Sequence, residues 1–156
     1  MISLGNLIIR LCDVSFGAIE ALRRQLGRPK VATISTNELQ SLLANQDSPL
    51  VLLDVRSAAE QAVSRIPDAI TLEEYEAQAS SLARTPVVVY CTVGGRSYIC
   101  GRKLVAAGIE AKNYRDGIVG WCRAGLPLET RDGHPTTAVH PYWRIFRVPD
   151  QYTVEI

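Results

Sequence analysis

The sequence predicts an α/β domain built on a mainly parallel central sheet of about five strands, with helices on both faces. Three observations predict it. Strand-like and helix-like segments alternate through the middle of the chain. Leu50-Val51-Leu52-Leu53 and Val87-Val88-Val89-Tyr90 are continuously apolar or aromatic, as strands covered on both faces must be. The second of these runs straight into Cys91-Thr92-Val93-Gly94-Gly95-Arg96-Ser97 and then into an amphipathic segment, a strand–loop–helix junction.

The elements follow in order. Residues 4–26 place Leu4, Leu7, Ile8, Leu11, Ser15, Ala18, Ile19, Leu22 and Leu26 on a 3.6-residue repeat, which predicts an amphipathic helix stopped at Gly27 and Pro29. That helix either docks on its own domain's core or lies on a membrane surface or partner, since Arg23, Arg24 and Arg28 gather at one end. Residues 31–35 form a short strand, and Ser35 or Thr36 caps a helix over 37–44. Residues 45–49 turn the chain into the strand at 50–56, and Ser57 with Glu60 opens a capped helical turn. Residues 66–70 are extended, and 73–83 are helical by composition. After the junction at Cys91, a helix runs to Ala107 and ends at Gly108, a last strand covers 111–115, and a short helix spans 118–124. From Glu129 onward, prolines and the aromatics Tyr142, Trp143, Phe146 and Tyr152 make a tail expected to pack on the domain or a partner. The organisation is thus an N-terminal helical extension (1–30), a central domain (31–129) and a C-terminal tail (130–156).

Composition narrows the function. At 156 residues, 47% hydrophobic and 21% charged, the chain fits one soluble domain with a short extension. A net charge of +1 gives no reason to expect nucleic acid as a partner. Cys12, Cys91, Cys100 and Cys122 contain no CxxC pair, and His134 and His140 lie far from them, so neither a metal site nor a disulfide framework is expected. No organic cofactor is implied either. No apolar run reaches the ~18 residues of a membrane span, and the first ten residues lack a basic secretory n-region. A cytoplasmic location, where a thiol stays reduced, is the expectation.

The junction carries the chemistry. Backbone N–H groups in a tight turn and at a helix start converge on one anion, so the amides of Thr92, Val93, Gly94, Gly95, Arg96 and Ser97 are expected to cradle a Cys91 thiolate, with Arg96 adding charge. Arg96 either binds the oxygens of an anionic substrate or pairs with a carboxylate and braces the loop. Arg56, ending the neighbouring strand, is a secondary candidate that faces the same crevice or serves the scaffold. Cys12, Cys100 and Cys122 read as packing residues.

Three motifs, in order, resemble a known family. Leu53-Asp54-Val55-Arg56 with Glu60 and Ile66-Pro67-Asp68-Ala69-Ile70 is similar to its "DVR...E...HIPGA" segment. Cys91-Thr92-Val93-Gly94-Gly95-Arg96-Ser97 is similar to its "CxxGxRS" loop, and Gly117-Ile118-Val119-Gly120-Trp121 with Ala124-Gly125-Leu126-Pro127 to its closing "GG...W...GLP" segment. On these grounds residues 31–129 resemble the rhodanese-like sulfurtransferase domain. The sequence departs from the pattern at Arg65, where the family usually has histidine, and at Asp68, where it has glycine.

The resemblance implies that Cys91 takes the outer sulfur from a donor such as thiosulfate or a persulfide, becomes a persulfide itself, and yields the sulfur to cyanide or a thiol. The C-x4-R spacing from Cys91 to Arg96 is shorter than the C-x5-R of phosphate-cleaving loops, and no carboxylate or histidine within the loop is present to protonate a leaving oxygen. The competing reading is a rhodanese-fold module that binds a protein partner with little catalysis.

Overall fold

The computed structural model describes residues 4–25, 30–45 and 47–156. The expected helix stop at Gly27 and Pro29, Gln46 of the expected turn, and the side chain of Cys12 lie outside the described residues and side chains.

In chain order the elements are α1 (Leu4–Gln25), β1 (Ala32–Ile34), α2 (Thr36–Ala44), β2 (Val51–Asp54), α3 (Ala58–Val63), β3 (Ile70–Thr71), α4 (Leu72–Ala77), α5 (Ala79–Leu82), β4 (Val87–Tyr90), α6 (Gly95–Ala106), β5 (Ala111–Tyr114) and α7 (Gly117–Arg123). Four two-residue strands follow: β6 (Leu128–Glu129), β7 (Pro135–Thr136), β8 (Ala138–Val139) and β9 (Thr153–Val154). Five strands pair in parallel in the order β1-β5-β4-β2-β3. Their side chains alternate between two apolar layers. Leu52, Val88 and Tyr90 meet Leu39 of α2 and Ile118, Trp121 and Cys122 of α7, whereas Val51, Leu53, Val87 and Val89 meet Tyr75 of α4 and the α6 side chains Leu104 and Val105. Helices therefore cover both faces, which is why β2 as far as Leu53 and β4 are apolar or aromatic.

Strand order determines where a site can form. The connection out of β2 leads to β3 on one side, and the connection out of β4 leads to β5 on the other. Adjacent strands whose crossovers diverge leave a crevice at their carboxyl ends, and that crevice lies between β2 and β4.

Several local expectations are refined. Ser35 rather than Thr36 caps α2, and Glu38 reaches back to the Ser35 N–H at 2.8 Å. Thr36 instead donates its N–H to Asp116 at 2.8 Å, tying α2 to the corner after β5. The single helix expected over 73–83 breaks at Gln78 into α4 and α5. The tail packs on the domain: Val139, Phe146 and Tyr152 are buried, and the Tyr152 hydroxyl donates to the Leu126 carbonyl at 2.6 Å. α1 behaves differently. Gly5 is buried, with no room for a Cβ, which would lie 2.4 Å from the Ile145 carbonyl oxygen. Leu4, Leu7, Leu11, Val14 and Leu22 remain exposed, so this strip does not dock on the domain's own core. No helix among the described residues is long and apolar enough to cross a membrane.

Candidate active site

β4 delivers Cys91 to the carboxyl end of the sheet's middle strand, where the side chain is 1% exposed. The loop that follows is held from behind. Ile118 N–H donates to the Cys91 carbonyl at 2.9 Å and Val119 N–H to the Thr92 carbonyl at 3.2 Å, so the start of α7 engages both. Two glycines make this approach possible. Gly117, at φ +60°, would put a Cβ 2.4 Å from the Thr92 oxygen, and Gly94, at φ +85°, would put one 2.2 Å from the Arg115 oxygen. Gly94 precedes the first residue of α6, so the helix begins at Gly95, inside the junction run rather than after it.

With its carbonyls turned to α7, the loop keeps its amides. Among the described residues, no acceptor within the protein takes the N–H groups of Thr92, Val93, Gly94, Gly95, Arg96 or Ser97. The last three belong to the first turn of α6, which a helix leaves without intrahelical partners. The Ser97 hydroxyl donates to Cys91 Sγ at 3.5 Å. Of the residues named from the sequence, Ser97 is bonded to the Cys91 sulfur, whereas the Thr92 and Arg96 side chains are bonded to Glu60.

The charged residues are arranged around a carboxylate whose role at the loop the sequence did not disclose. Glu60, fully buried on α3, accepts from Arg96 Nη1 and Nη2 at 2.7 Å each and from the Thr92 hydroxyl at 2.6 Å. It also accepts from Ser57 N–H at 2.9 Å and the Ser57 hydroxyl at 2.7 Å, closing the capping box. Burial raises the Glu60 pKa, but the hydrogen bonds from Arg96, Thr92 and Ser57 outweigh it and hold the carboxyl at about 2. The pairing in turn raises the pKa of Arg96. Ser57-x-x-Glu60 reads as a helix cap and Glu60 as part of the family's first motif; the bonding of the same carboxylate to Arg96 and Thr92 has no signature in the spacing.

Arg96 therefore braces the loop, one of the two roles open to it, and its side chain is 38% exposed. The ring of Tyr142, from the tail, lies 4.8 Å from its guanidinium carbon. Arg56 is directed elsewhere. Its Nε and Nη2 hold Asp54 at 3.0 and 2.7 Å, and Nη2 also donates to the Ser64 carbonyl at 2.5 Å. Tyr90 donates its hydroxyl to the same Asp54 at 2.7 Å, which makes Arg56 part of the floor between β2 and β4. Arg65 pairs with Glu129 at 2.8 Å, and Asp68, at φ +62°, occupies the left-handed conformation that suits the glycine it replaces. Among the described residues, no three His, Cys, Asp or Glu side chains gather to hold a metal ion.

A family model for the rhodanese-like domain matches residues 35–124, more than half of the chain. The chain belongs to the rhodanese-like domain family. A sulfurtransferase of Allochromatium vinosum is 36% identical over 107 residues, covering 66% of this chain and 99% of that protein. A tRNA sulfurtransferase of Desulfurococcus amylolyticus is 39% identical over 77 residues, which is 49% of this chain and only 15% of that one. Among solved structures, a thiosulfate sulfurtransferase of Pseudomonas aeruginosa superposes with a TM-score of 0.60 at 29% identity, covering 79% of this chain and 23% of that one. A rhodanese-like domain protein of Staphylococcus aureus gives 0.55 at 29% identity over 65% and 99% of the two chains. α1 and the whole tail (130–156), Tyr142 included, lie outside the matched rhodanese segment.

Proposed function

We propose that this rhodanese-like protein is a sulfurtransferase that carries sulfane sulfur on Cys91, taking it from a donor such as thiosulfate or a persulfide and giving it to cyanide or a thiol. The observation that carries the reading is the Cys91 loop itself: a thiol at the β2–β4 crevice, with a run of unpaired amides after it and Ser97 donating to its sulfur. Fold alone would not license an activity; a thiol at the β2–β4 crevice, followed by the start of α6, is what supports this one.

The Cys91 thiolate attacks the outer sulfur of thiosulfate. The new Sγ–S bond forms as the S–S bond of thiosulfate breaks, and its electron pair leaves with sulfite. Three negative charges enter the step and three leave it. Cyanide or a thiolate then attacks the terminal sulfur of the Cys91 persulfide, releasing thiocyanate or a new persulfide and restoring the Cys91 thiolate. Both states of the loop are anionic, so the same N–H groups serve each, and no general base is needed once the thiol is ionised. Glu60 and Arg96 form a neutral pair that fixes the loop's outer edge rather than a participant in the transfer. A reducing cytoplasm would keep the thiol available.

Burial of Cys91 is the one observation that favours the competing reading of a binding module with little catalysis. Thiosulfate–cyanide turnover separates the two. The expected result is thiocyanate formation by the wild type and by Cys122→Ser, with none by Cys91→Ser; no turnover above the Cys91→Ser background places the binding module first.

A further inference from the structure

We propose that Tyr142 is a positioning residue of this site: its ring holds the Arg96 guanidinium against Glu60 and so keeps the rim of the Cys91 loop closed. The inference rests on the sulfurtransferase reading for its kinetic consequence and on geometry alone for the rest. Arg96 spends its two terminal nitrogens on Glu60 and on the Thr92 hydroxyl, all at 2.7 Å. The Tyr142 ring, 4.8 Å from the guanidinium carbon, adds a cation–π contact to that arrangement.

The tail is built to present this ring. Tyr142 has φ +68°, a conformation rare for a side chain of its size. Its N–H donates to His140 Nδ1 at 3.1 Å, and the next residue's N–H bonds the Pro141 carbonyl at 2.8 Å. Trp143 packs against the Tyr142 ring at 5.0 Å and stacks on Phe146 at 6.0 Å, and Phe146 is buried. A segment outside the rhodanese match thus supplies one contact to the loop.

The test compares wild type with Tyr142→Phe, Tyr142→Ala and Tyr142→Gly. Tyr142 is 43% exposed, so none of these opens the core. Two quantities are measured: kcat and KM for thiosulfate, and the rate at which iodoacetamide alkylates Cys91, read by peptide mapping. Phenylalanine, which keeps the ring, should leave both within twofold. Alanine and glycine should speed Cys91 alkylation several-fold while lowering kcat about tenfold, with KM changing much less. Glycine accepts the left-handed backbone without the ring, so its matching alanine assigns the effect to the ring. Alkylation unchanged within twofold in both overturns the proposal, as does glycine behaving like wild type. If the wild type turns over no thiosulfate, the sulfurtransferase reading fails, and the alkylation rates still decide whether Tyr142 holds the rim.

Discussion

Replacing Glu60 with glutamine keeps the side chain's length and removes the negative charge that holds Arg96 at the thiol loop. The carboxylate accepts hydrogen bonds from Arg96, Thr92 and Ser57 on two oxygens. An amide offers only one acceptor atom, and its NH2 group would face donors. Breaking a buried ion pair from one side costs about 3–5 kcal/mol, and the partly exposed Arg96 puts this case near 3. Linkage gives a similar figure. The Glu60 pKa falls from 4.5 to about 2 on folding, and at ~1.4 kcal/mol per unit this is about 3–4 kcal/mol. Because the folded value is the lower one, the contribution is complete above pH 4.5 and is lost as the pH falls towards 2. Urea unfolding of both proteins across that range should show wild type ahead by ~3 kcal/mol at neutral pH and by about half that near pH 3. An advantage that ignores pH, or one under ~1 kcal/mol at neutrality, would refute the carboxylate's role as the loop's charged anchor.

Gly117→Ala should lower the melting temperature by ~10 °C, because its Cβ would meet the Thr92 and Cys91 carbonyl oxygens at 2.4 and 2.6 Å from a positive-φ residue; calorimetry showing an unchanged transition would contradict the clamp behind the loop. Cys122 should resist iodoacetamide in the native protein at mildly alkaline pH, since burial pushes its thiol up to about 12, and should label only after denaturation. Labelling of native Cys122 at the rate of a free thiol would show that the α7 layer opens.

Much of this was legible before any coordinates. β2 and β4 announced themselves because a strand buried on both faces reads as a near-continuous apolar run, broken here only by Asp54 at the end of β2, and the thiol loop because its glycines, arginine and helix start fall in one short run. What stayed hidden depends on contacts far apart in the chain. Glu60 bonds Arg96 only because β2 and β4 are neighbours in the sheet, and a capping box gives no hint of a second set of donors. Arg56 and Asp54 formed an ambiguous pair of charges until Tyr90 and the Ser64 carbonyl enclosed them. Tyr142 reaches the loop from a tail whose composition revealed packing without an address. The break at Gln78 separates two short helices that composition alone had merged.

The most direct test of the sulfur-carrying loop is intact-protein mass spectrometry after incubation with thiosulfate and removal of the excess. Wild type should gain the mass of a single sulfur atom, mapped to Cys91 and discharged by cyanide, while Cys91→Ser gains nothing. A wild-type mass that does not change, or sulfur found on Cys122 or Cys100 instead, would contradict the account.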